Sequence, residues 1–481
     1  MKVETFYLGG LGHQSYLVSD DATMTAAVVD PRRDVEIYLQ AAHAAGARLA
    51  YVFETHVHND YVTGARELQE RTGATIVNAV SAELAYEHHG VRDGDRVRVG
   101  SLTFQALATP GHTPDHISYA VSEDGEESPR AVFTGGSMLV GSAGRTDLVS
   151  PGMTLTLTRQ QYHSLRRLLD SLSDHTMVYP THGAGSFCGA TMTASGGLSS
   201  TIGQERLTGP ASRATDEADF VRQQLAGYGV YPAYYAYMGE INQRGPRILG
   251  GMPSLAPLAP ETVQRYLSHG LPLIDGRPRA AFAHEHVPGS LNIELDASFG
   301  SYVGWLLPFN KPLMLLVEDE AGRTEAVAQL VRIGFEQLRG YLEGGVDAWK
   351  AAGMPTGRFE AIGVDELYKR WRSRKGLSVL DVRDATEWNS GHVPGAQHIH
   401  IGDLMRHLNE IPANTPVATI CRTGHRAEMA ASIIAALGRE TIAVQRGGMP
   451  DWIEASYPSE GGVWPAVSAD VGEGVLDHAH P

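Results

Sequence analysis

The stretches Gly391-His392-Val393-Pro394-Gly395-Ala396 and Cys421-Arg422-Thr423-Gly424-His425-Arg426 decide how the second half of this chain is organised, because most of the pattern around them occurs twice. Five positions repeat at an offset of 106 residues and five more at an offset of 103. The earlier members are Asp275, Arg277, His286, Pro288, Gly289, Glu318, Arg323, Gly344, Gly345 and Trp349, and the later ones are Asp381, Arg383, His392, Pro394, Gly395, Cys421, Arg426, Gly447, Gly448 and Trp452. An offset that holds over many positions indicates a duplicated domain.

The two copies differ at the position that could carry chemistry. The later copy has a nucleophile, Cys421, where the earlier copy has Glu318. A carboxylate cannot replace a thiol as an acceptor of sulfur. We therefore predict one working module beside one inactive copy.

Length and composition predict about three globular domains in the 481 residues. We predict a first domain over 1–245, a Pro- and Gly-rich linker over 246–260, the two copies over 261–355 and 360–457, and a tail over 458–481. The net charge of −16 argues against a nucleic-acid partner and against an anionic membrane surface. A homo-oligomer is compatible with this composition.

Cysteine usage and the chain start predict a cytoplasmic protein. Only Cys188 and Cys421 are present, so no disulfide framework is expected. The first residues lack the charged and apolar regions of a signal peptide, and no apolar run approaches the length of a membrane span. A reducing compartment suits a thiol nucleophile.

The loop that carries Cys421 is predicted to join a buried strand, 417–420, to a helix, 427–437. Backbone N–H groups at such a strand-to-helix loop favour an anion, and Arg422 and Arg426 add positive charge. This setting favours a thiolate that attacks a sulfane sulfur and carries it as a persulfide. The predicted catalytic residues are Cys421, Arg422 and Arg426, with Thr423, Gly424 and His425 binding the substrate.

These motifs resemble the rhodanese family of sulfurtransferases over about 365–455. The resemblance implies that Cys421 accepts sulfur while the loop amides cradle the persulfide, and that Asp381 and Arg383 are structural braces. It also implies that the earlier copy is an inactive rhodanese domain with a docking or scaffolding role.

In the first half of the chain, several predicted strands end directly at polar clusters, which places these clusters at one edge of a sheet. A long helix is predicted over 154–172, and a shorter one over 35–45. Neutral imidazoles and carboxylates that converge at strand ends suit zinc or iron. The predicted strands are 26–29, 49–53, 102–108, 131–133 and 176–179, and the predicted ligands that follow them are His56, His58, Asp60, His112 and His182.

This half resembles the metallo-β-lactamase fold, within the group of glyoxalase II and the persulfide dioxygenases. The motifs are Thr55-His56-Val57-His58-Asn59-Asp60, Pro110-Gly111-His112-Thr113-Pro114 and Gly144-Arg145-Thr146-Asp147, the last being typical of persulfide dioxygenases. The resemblance implies that Arg145 binds substrate. Proteins of this fold fused to rhodanese domains are known in sulfide oxidation.

Two departures from the family motif leave the metal open. Tyr61 stands where the family has a histidine, and Gly136 stands where it has a ligand aspartate. The metal is Fe(II) or Zn in this interpretation. Three arrangements remain: a His56, His58 and His112 site, a site completed by Asp60 or another carboxylate, or a domain without catalytic metal. We predict low iron occupancy, which Gly136→Asp is expected to raise.

We therefore predict an α/β protein, with an αββα metallo-β-lactamase-like sandwich followed by two doubly wound rhodanese-like domains. The predicted function is oxidation of a low-molecular-weight thiol persulfide, coupled to sulfur transfer by Cys421 among persulfide, sulfite and thiosulfate. The alternatives are a sulfurtransferase with a degenerate, non-oxidising first domain, a zinc thioester hydrolase with rhodanese domains, and a persulfide-sensing partner protein without turnover.

Overall fold

A computed structural model of the chain describes residues 1–126, 128–183, 186–189, 197–373 and 376–461. The chain forms two compact units: residues 1–272 and 295–345 make the first, and residues 273–294 together with those from 346 onward make the second. The predicted tail, 458–481, lies outside the described residues beyond position 461.

The chain begins with a six-stranded sheet in the order β1-β2-β3-β4-β5-β6. Its first three strands are antiparallel and the pairs from β3 to β6 are parallel. The elements are β1 Lys2–Leu8, β2 His13–Asp20, β3 Thr25–Val29, α1 Glu36–Ala44, β4 Arg48–Phe53, α2 Ala65–Thr72, β5 Thr75–Ala79 and β6 His89–Val91.

A second six-stranded sheet follows in the order β14-β13-β10-β9-β8-β7, with only β10 and β13 parallel. Four helices then lead towards the linker. The elements are β7 Arg96–Val99, β8 Leu102–Ala108, β9 Ile117–Glu123, β10 Ala131–Gly135, β11 Met138–Leu139, β12 Ser142–Ala143, α3 Thr154–Ser171, β13 Met177–Pro180, β14 Ser200–Thr201, α4 Ile202–Thr208, α5 Pro210–Arg213, α6 Glu217–Ala226 and α7 Tyr235–Arg244.

The alternation of side chains along each strand produces the predicted αββα sandwich. Tyr16 and Val18 of β2 pack in the core between the sheets, whereas Leu17 packs in the core that includes α1 and α2 residues. On β10, Phe133 likewise faces the core between the sheets and Val132 faces the core shared with α3. Both sheets are therefore covered on their outer faces by helices.

The polar loops that follow β3, β4, β8, β10 and β13 carry the candidate site. The predicted strands agree with the structure to within one or two residues at each end, and the predicted long helix is α3. The sequence prediction of fold class is confirmed for this domain.

The earlier copy, which is predicted to be inactive, contributes elements to both units. In the first unit, β18 pairs in parallel with β19, and β19 with β15; in the second unit, β16 pairs in parallel with β17. The elements are β15 Pro257–Leu258, α8 Pro260–Ser268, β16 Leu273–Asp275, α9 Arg279–His284, β17 Leu291–Asn292, α10 Phe299–Leu306, β18 Leu313–Leu316, α11 Glu320–Arg332, β19 Leu338–Leu342 and α12 Gly345–Ala351.

The later copy is a parallel five-stranded sheet in the order β20-β24-β23-β21-β22. Among the helices of the described ranges, none combines the length and apolarity that crossing a bilayer requires. The elements are β20 Glu360–Gly363, α13 Val364–Arg372, β21 Ser378–Asp381, α14 Ala385–Asn389, β22 Gln397–His398, β23 Val417–Ile420, α15 His425–Ala436, β24 Thr441–Arg446 and α16 Met449–Glu454.

The duplicated frame is visible in matching contacts within the second unit. Arg277 Nη2 donates to Asp275 Oδ2 over 2.6 Å, and Arg383 Nη2 donates to Asp381 Oδ2 over 2.7 Å. Each arginine also donates to a backbone carbonyl eight residues ahead, that of Glu285 or Gly391. These buried ion pairs hold a strand end against the following loop, which is the bracing geometry expected for Asp381 and Arg383.

Candidate functional site

Cys421 lies on the short loop between β23 and α15, with its side chain buried at 1% exposure. The Gly424 backbone N–H donates to Cys421 Sγ over 3.1 Å. Gly424 has a φ of 93°, in the left-handed region that favours glycine, and a Cβ there would overlap Gln445. The loop therefore aims a backbone donor at the sulfur, directly before the helix N-terminus.

The two arginines of this loop differ in their surroundings. The Arg426 guanidinium binds Glu387 at 2.7 and 3.0 Å and also contacts Asp384 at 3.4 Å, whereas Arg422 and Thr423 are exposed. A hydrogen bond from His400, followed by the charge of Arg426, lowers the pKa of Asp384 to about 2. Much of the positive charge expected from Arg426 is therefore compensated. The assigned roles of Arg422, Thr423, Gly424, His425 and Arg426 remain predictions.

The matching loop of the inactive copy has a different shape. Helix α11 begins at Glu320, which corresponds to Thr423, so this helix starts two positions earlier than α15. Asp319 Oδ1 accepts the Gly322 N–H over 2.7 Å and caps the helix. The Gly322 N–H is thereby committed to Asp319, so it does not point at the side chain of Glu318.

In the first domain, three histidines from three different loops converge. His56, His112 and His182 are each fully buried, and one nitrogen from each lies within 4.8 Å of the others. Among the described residues, His56 Nε2, His112 Nε2 and both nitrogens of His182 have no hydrogen-bond partner. Buried nitrogen lone pairs without partners are costly unless an ion occupies the space between them.

The opposite nitrogens of two of these rings, His56 and His112, are held by the protein. Thr55 Oγ1 lies 2.8 Å from His56 Nδ1, and the Arg145 carbonyl oxygen accepts from His112 Nδ1 over 2.7 Å. Asp60 Oδ2 lies 3.3 Å from His182 Nδ1 but without hydrogen-bond alignment, so His182 lacks such a contact among the described residues. Such outer contacts fix ring orientation and tautomer in metal sites.

The protonation of these rings suits metal binding. Burial lowers the pKa of His56 and His182 well below the ordinary range, and lowers that of His112 to about 4. All three imidazoles are therefore neutral near pH 7, which is the form that coordinates a metal. The donor set fits a three-nitrogen site for zinc or iron.

His58, the second histidine of the motif, has other partners. Its Nε2 lies 3.2 Å from Asp30 Oδ1 and 3.3 Å from Glu54 Oε2. Although burial opposes the charged ring, these carboxylates raise the pKa of His58 to about 10. In the structure His182, and not His58, completes a three-histidine group with His56 and His112.

His182 also belongs to a second group, which includes Asp60. His58, Asp60 and His182 also place ligand atoms within 4.8 Å of one another, as do Asp30, Glu54 and His58. Both Asp60 oxygens are buried and lack a hydrogen-bond partner in the described part of the chain, and burial raises the pKa of Asp60 to about 6. All five predicted ligands thus fall in two overlapping groups.

Arg145 is buried beneath the His112 loop, where its guanidinium is already bound. It donates to Asp147 at 2.7 and 2.8 Å and to the Gly229 carbonyl at 2.8 Å, between the rings of Tyr228 and Tyr231. Since its own carbonyl oxygen orients His112, Arg145 braces the site in this structure. Its predicted contact with a substrate remains a prediction.

The sequence interpretation overlooked Asp30 and Glu54. Asp30 follows β3 with a φ of 51°, and its carboxylate accepts from the Thr55 N–H and hydroxyl over 2.7 and 2.8 Å. The signal was available, because Asp30 ends a strand in the same way as the histidine clusters do. A non-glycine residue in the left-handed region is often found at functional sites.

Comparison with known proteins accounts for this arrangement. Residues 8–182 match the Metallo-beta-lactamase superfamily, and residues 259–352 and 364–455 each match the Rhodanese-like domain. The chain therefore carries a metallo-beta-lactamase domain followed by two rhodanese-like domains.

Individual relatives cover parts of this chain. Bovine persulfide dioxygenase ETHE1 is 28% identical over 41% of this chain and 70% of its own length. A hydroxyacylglutathione hydrolase of Pseudomonas aeruginosa is 35% identical over 35% of this chain, which spans 60% of that enzyme. A crystal structure of a metallo-beta-lactamase from Staphylococcus aureus aligns with a TM-score of 0.64 and 27% identity, covering 71% of this chain and 98% of that one.

The two departures from the metallo-beta-lactamase motif have structural consequences. Tyr61 donates its hydroxyl to the Asp30 carbonyl over 3.2 Å and packs against the rings of His13 and His58. A Cβ at Gly136 would overlap the His112 ring. The expectation that Gly136→Asp rebuilds a two-histidine, one-carboxylate site therefore needs correction, because His112 fills the space which that side chain would need.

Proposed function

We propose that this chain is an enzyme of sulfane-sulfur metabolism. Cys421 accepts a sulfane sulfur as a persulfide, and the first domain oxidises a low-molecular-weight thiol persulfide at a metal held by His56, His112 and His182. The observation that carries the proposal is the buried Cys421 Sγ, which receives the Gly424 N–H at the start of α15.

Sulfur transfer needs only the groups of the Cys421 loop. The Cys421 thiolate attacks the outer sulfur of thiosulfate, the S–S bond breaks, and sulfite leaves with the bonding electrons. The negative charge of the resulting persulfide is stabilised by the Gly424 N–H and the N-terminus of α15. A thiol or sulfite acceptor then removes the sulfur and restores Cys421.

The first domain supplies a dry, neutral site for the oxidation. In balanced form, one persulfide, one O₂ and one water give one thiol, one sulfite and two protons. Bound Fe(II) would supply the O₂ chemistry. His56, His112 and His182 would hold the ion, while Thr55 and Arg145 orient the rings of His56 and His112. The sulfite product is itself an acceptor for the Cys421 persulfide, which would yield thiosulfate.

A second candidate function has a specific observation in its favour. The His56, His112 and His182 group has no carboxylate, and neutral nitrogen donors suit zinc at least as well as Fe(II). With zinc bound, the first domain would hydrolyse a thioester, as in the hydroxyacylglutathione hydrolase relatives. A sulfurtransferase with a non-oxidising first domain is the remaining alternative.

Metal analysis combined with oxygen uptake separates these functions. The purified chain is assayed for iron and zinc, and oxygen uptake is measured with glutathione persulfide after loading with Fe(II). Uptake that depends on His182 supports the dioxygenase. Zinc with thioester hydrolysis and no uptake supports the hydrolase, and absence of both with intact sulfur transfer supports the sulfurtransferase alone.

A further inference from the structure

Two helices of the inactive rhodanese-like copy, α10 and α11, contact the loop that carries His56 and two segments that lie next to His182. These helices and the whole first domain belong to the same compact unit. The contacts fall on three loops: the one after β4 with His56, the one before β2 next to His182, and the one around Cys188.

The loop after β4 is held from both sides. The Val62 N–H, two residues beyond Asp60, donates to the Arg332 carbonyl at the end of α11 over 2.7 Å. Arg332 itself is 4% exposed, and its guanidinium binds Asp34 at 2.8 and 2.7 Å. On the other side, Asn242 of α7 donates to the carbonyls of His58 and Tyr61.

Helix α10 approaches the wall of the site. A Cβ at Gly304 would overlap the ring of Tyr234, which is 1% exposed and precedes Tyr235 at the start of α7. The Cys188 thiol lies 3.9 Å from the Tyr235 hydroxyl. Trp305, the next residue on α10, packs edge-on against Phe187 with ring centroids 4.9 Å apart.

The loop before β2 is fastened by the same helix. Ser301 Oγ donates to the Gly10 carbonyl over 3.1 Å, and Gly10 lies so close to the Ala297 carbonyl that a Cβ could not fit. Two residues further on, the Gly12 carbonyl accepts the Gly183 N–H over 2.7 Å, next to His182. The inactive copy thus contacts backbone that leads directly to two of the three candidate ligands.

We infer that the inactive rhodanese-like copy serves as a positioning element of the metal site, with Arg332 and Gly304 as its positioning residues. The inference rests on the proposed metal-binding role of the first domain. Glu318 and the early start of α11 remove sulfur transfer from this copy. Its α11 instead contacts the loop that bears His56, and its α10 contacts the segment before β2 that hydrogen-bonds beside His182. Metal ligands must be held to within about 0.5 Å for tight binding, so small loop shifts should be measurable.

The experiment measures Co²⁺ binding to the full chain by its visible absorption, which reports ligand geometry independently of turnover. The variants are Arg332→Ala, which removes the ion pair with Asp34, and Gly304→Val, which displaces Tyr234. The matched control is Arg323→Ala on the same helix, because the hydrogen bonds of Arg323 within the described ranges go to carbonyls of its own copy, Val317 and Glu318, and its guanidinium stacks on Tyr341. Thiosulfate sulfur transfer by Cys421 and thermal unfolding are followed in each protein.

We expect Arg332→Ala and Gly304→Val to weaken Co²⁺ binding at least about tenfold, within the range for outer contacts of metal sites, and to alter the absorption bands. Sulfur transfer should be unchanged, and Arg323→Ala should bind Co²⁺ like the unmodified chain. Should Arg332→Ala fail to fold, Asp34→Asn removes the same charge pair from the other partner and is expected to weaken binding severalfold.

Unchanged Co²⁺ affinity and spectra in folded Arg332 or Asp34 variants and in Gly304→Val would overturn the inference. An equal loss in Arg323→Ala would also overturn it, because the effect would then reflect general helix stability. Failure of the unmodified chain to bind Co²⁺ would instead overturn the proposed metal role, and the inference with it.

Discussion

The Gly424 N–H points at Cys421 Sγ over 3.1 Å, so the thiol of this chain is met by a backbone donor at the N-terminus of a twelve-residue helix. A backbone donor needs no side-chain movement to stabilise a negative sulfur. This contact distinguishes Cys421 from Cys188. Cys188 is buried beside the Tyr235 hydroxyl, and burial raises the pKa of its thiol well above the ordinary value.

We predict that Cys421→Ser reduces thiosulfate sulfur transfer to background without loss of folding, because a serine hydroxyl is a far weaker nucleophile and cannot carry sulfane sulfur. The measurement is cyanide-dependent thiocyanate formation. Cys188→Ser is the control and should be nearly silent in this assay. Retained turnover in the Cys421 variant, or a comparable loss in the Cys188 variant, would refute the assignment.

We predict that the double variant Glu318→Cys, Cys421→Ser stays inactive in the same assay. The new thiol would lie before a helix that already starts at Glu320, with the Gly322 N–H committed to Asp319. Asp319 and Glu320 would also repel anionic sulfur donors. Robust transfer by this protein would contradict the account of the inactive copy.

The ligand set is tested by comparing His182→Ala with His58→Gln. We expect His182→Ala to lower metal affinity more than about 100-fold, because loss of outer contacts alone costs about 10–100-fold. His58→Gln should leave the metal content close to normal but lower the free energy of unfolding by about 3–5 kcal/mol, since Asp30 and Glu54 would lose a buried positive partner. Loss of metal in His58→Gln together with normal metal content in His182→Ala would instead favour His56, His58 and His112 as the ligands.

Gly136→Asp is now predicted to weaken metal binding. A side chain at this position would displace the His112 ring and break its contact with the Arg145 carbonyl. Equilibrium dialysis with Zn²⁺ or Co²⁺ measures the effect, and Gly152→Asp, at an open position, is the control. Increased iron occupancy in Gly136→Asp would show that the loop adapts and rebuilds the family triad.

Buried Glu428 gives a pH-dependent prediction for the second unit. Burial raises the pKa of this carboxyl to about 8, so it stays protonated in the folded chain while the unfolded chain ionises it above about 4.5. The buried carboxyl of Glu428 therefore lowers the free energy of unfolding increasingly as pH rises from 4.5 to 8, and by a constant amount above pH 8. Glu428→Gln should raise the Tm by roughly 3–6 °C at pH 8.5, with little difference at pH 4.5. If Glu428→Gln and the unmodified chain had equal Tm values at pH 8.5 as well as at pH 4.5, this assignment would be contradicted.

Strand ends were the most predictable part of the site. The loops after β4, β8 and β13 could be located from apolar runs that stop at histidines, whereas the fold class was implied by the resemblance of the motifs to the metallo-β-lactamase fold. The direction of each ring could not be predicted. His58 turns to Asp30 and Glu54, and Asp30 follows a different strand, β3, so the packing of the strands decides which histidine completes the group.

The charges around Cys421 illustrate the same limit. Arg426 lies in the first turn of α15, directly after the loop that carries Cys421. Its guanidinium nevertheless binds Glu387 on α14, which lies 39 residues earlier in the sequence. The early start of α11 was within reach of sequence reasoning, because Asp319 is a helix-capping residue followed by good helix formers.

The most direct test of the account is mass-spectrometric mapping of the sulfur added when the unmodified chain is incubated with thiosulfate. The account predicts one additional sulfur atom on the peptide that contains Cys421 and none on the peptide that contains Cys188. Sulfur located only on Cys188, or no added sulfur with a freely reactive Cys421 thiol, would contradict it.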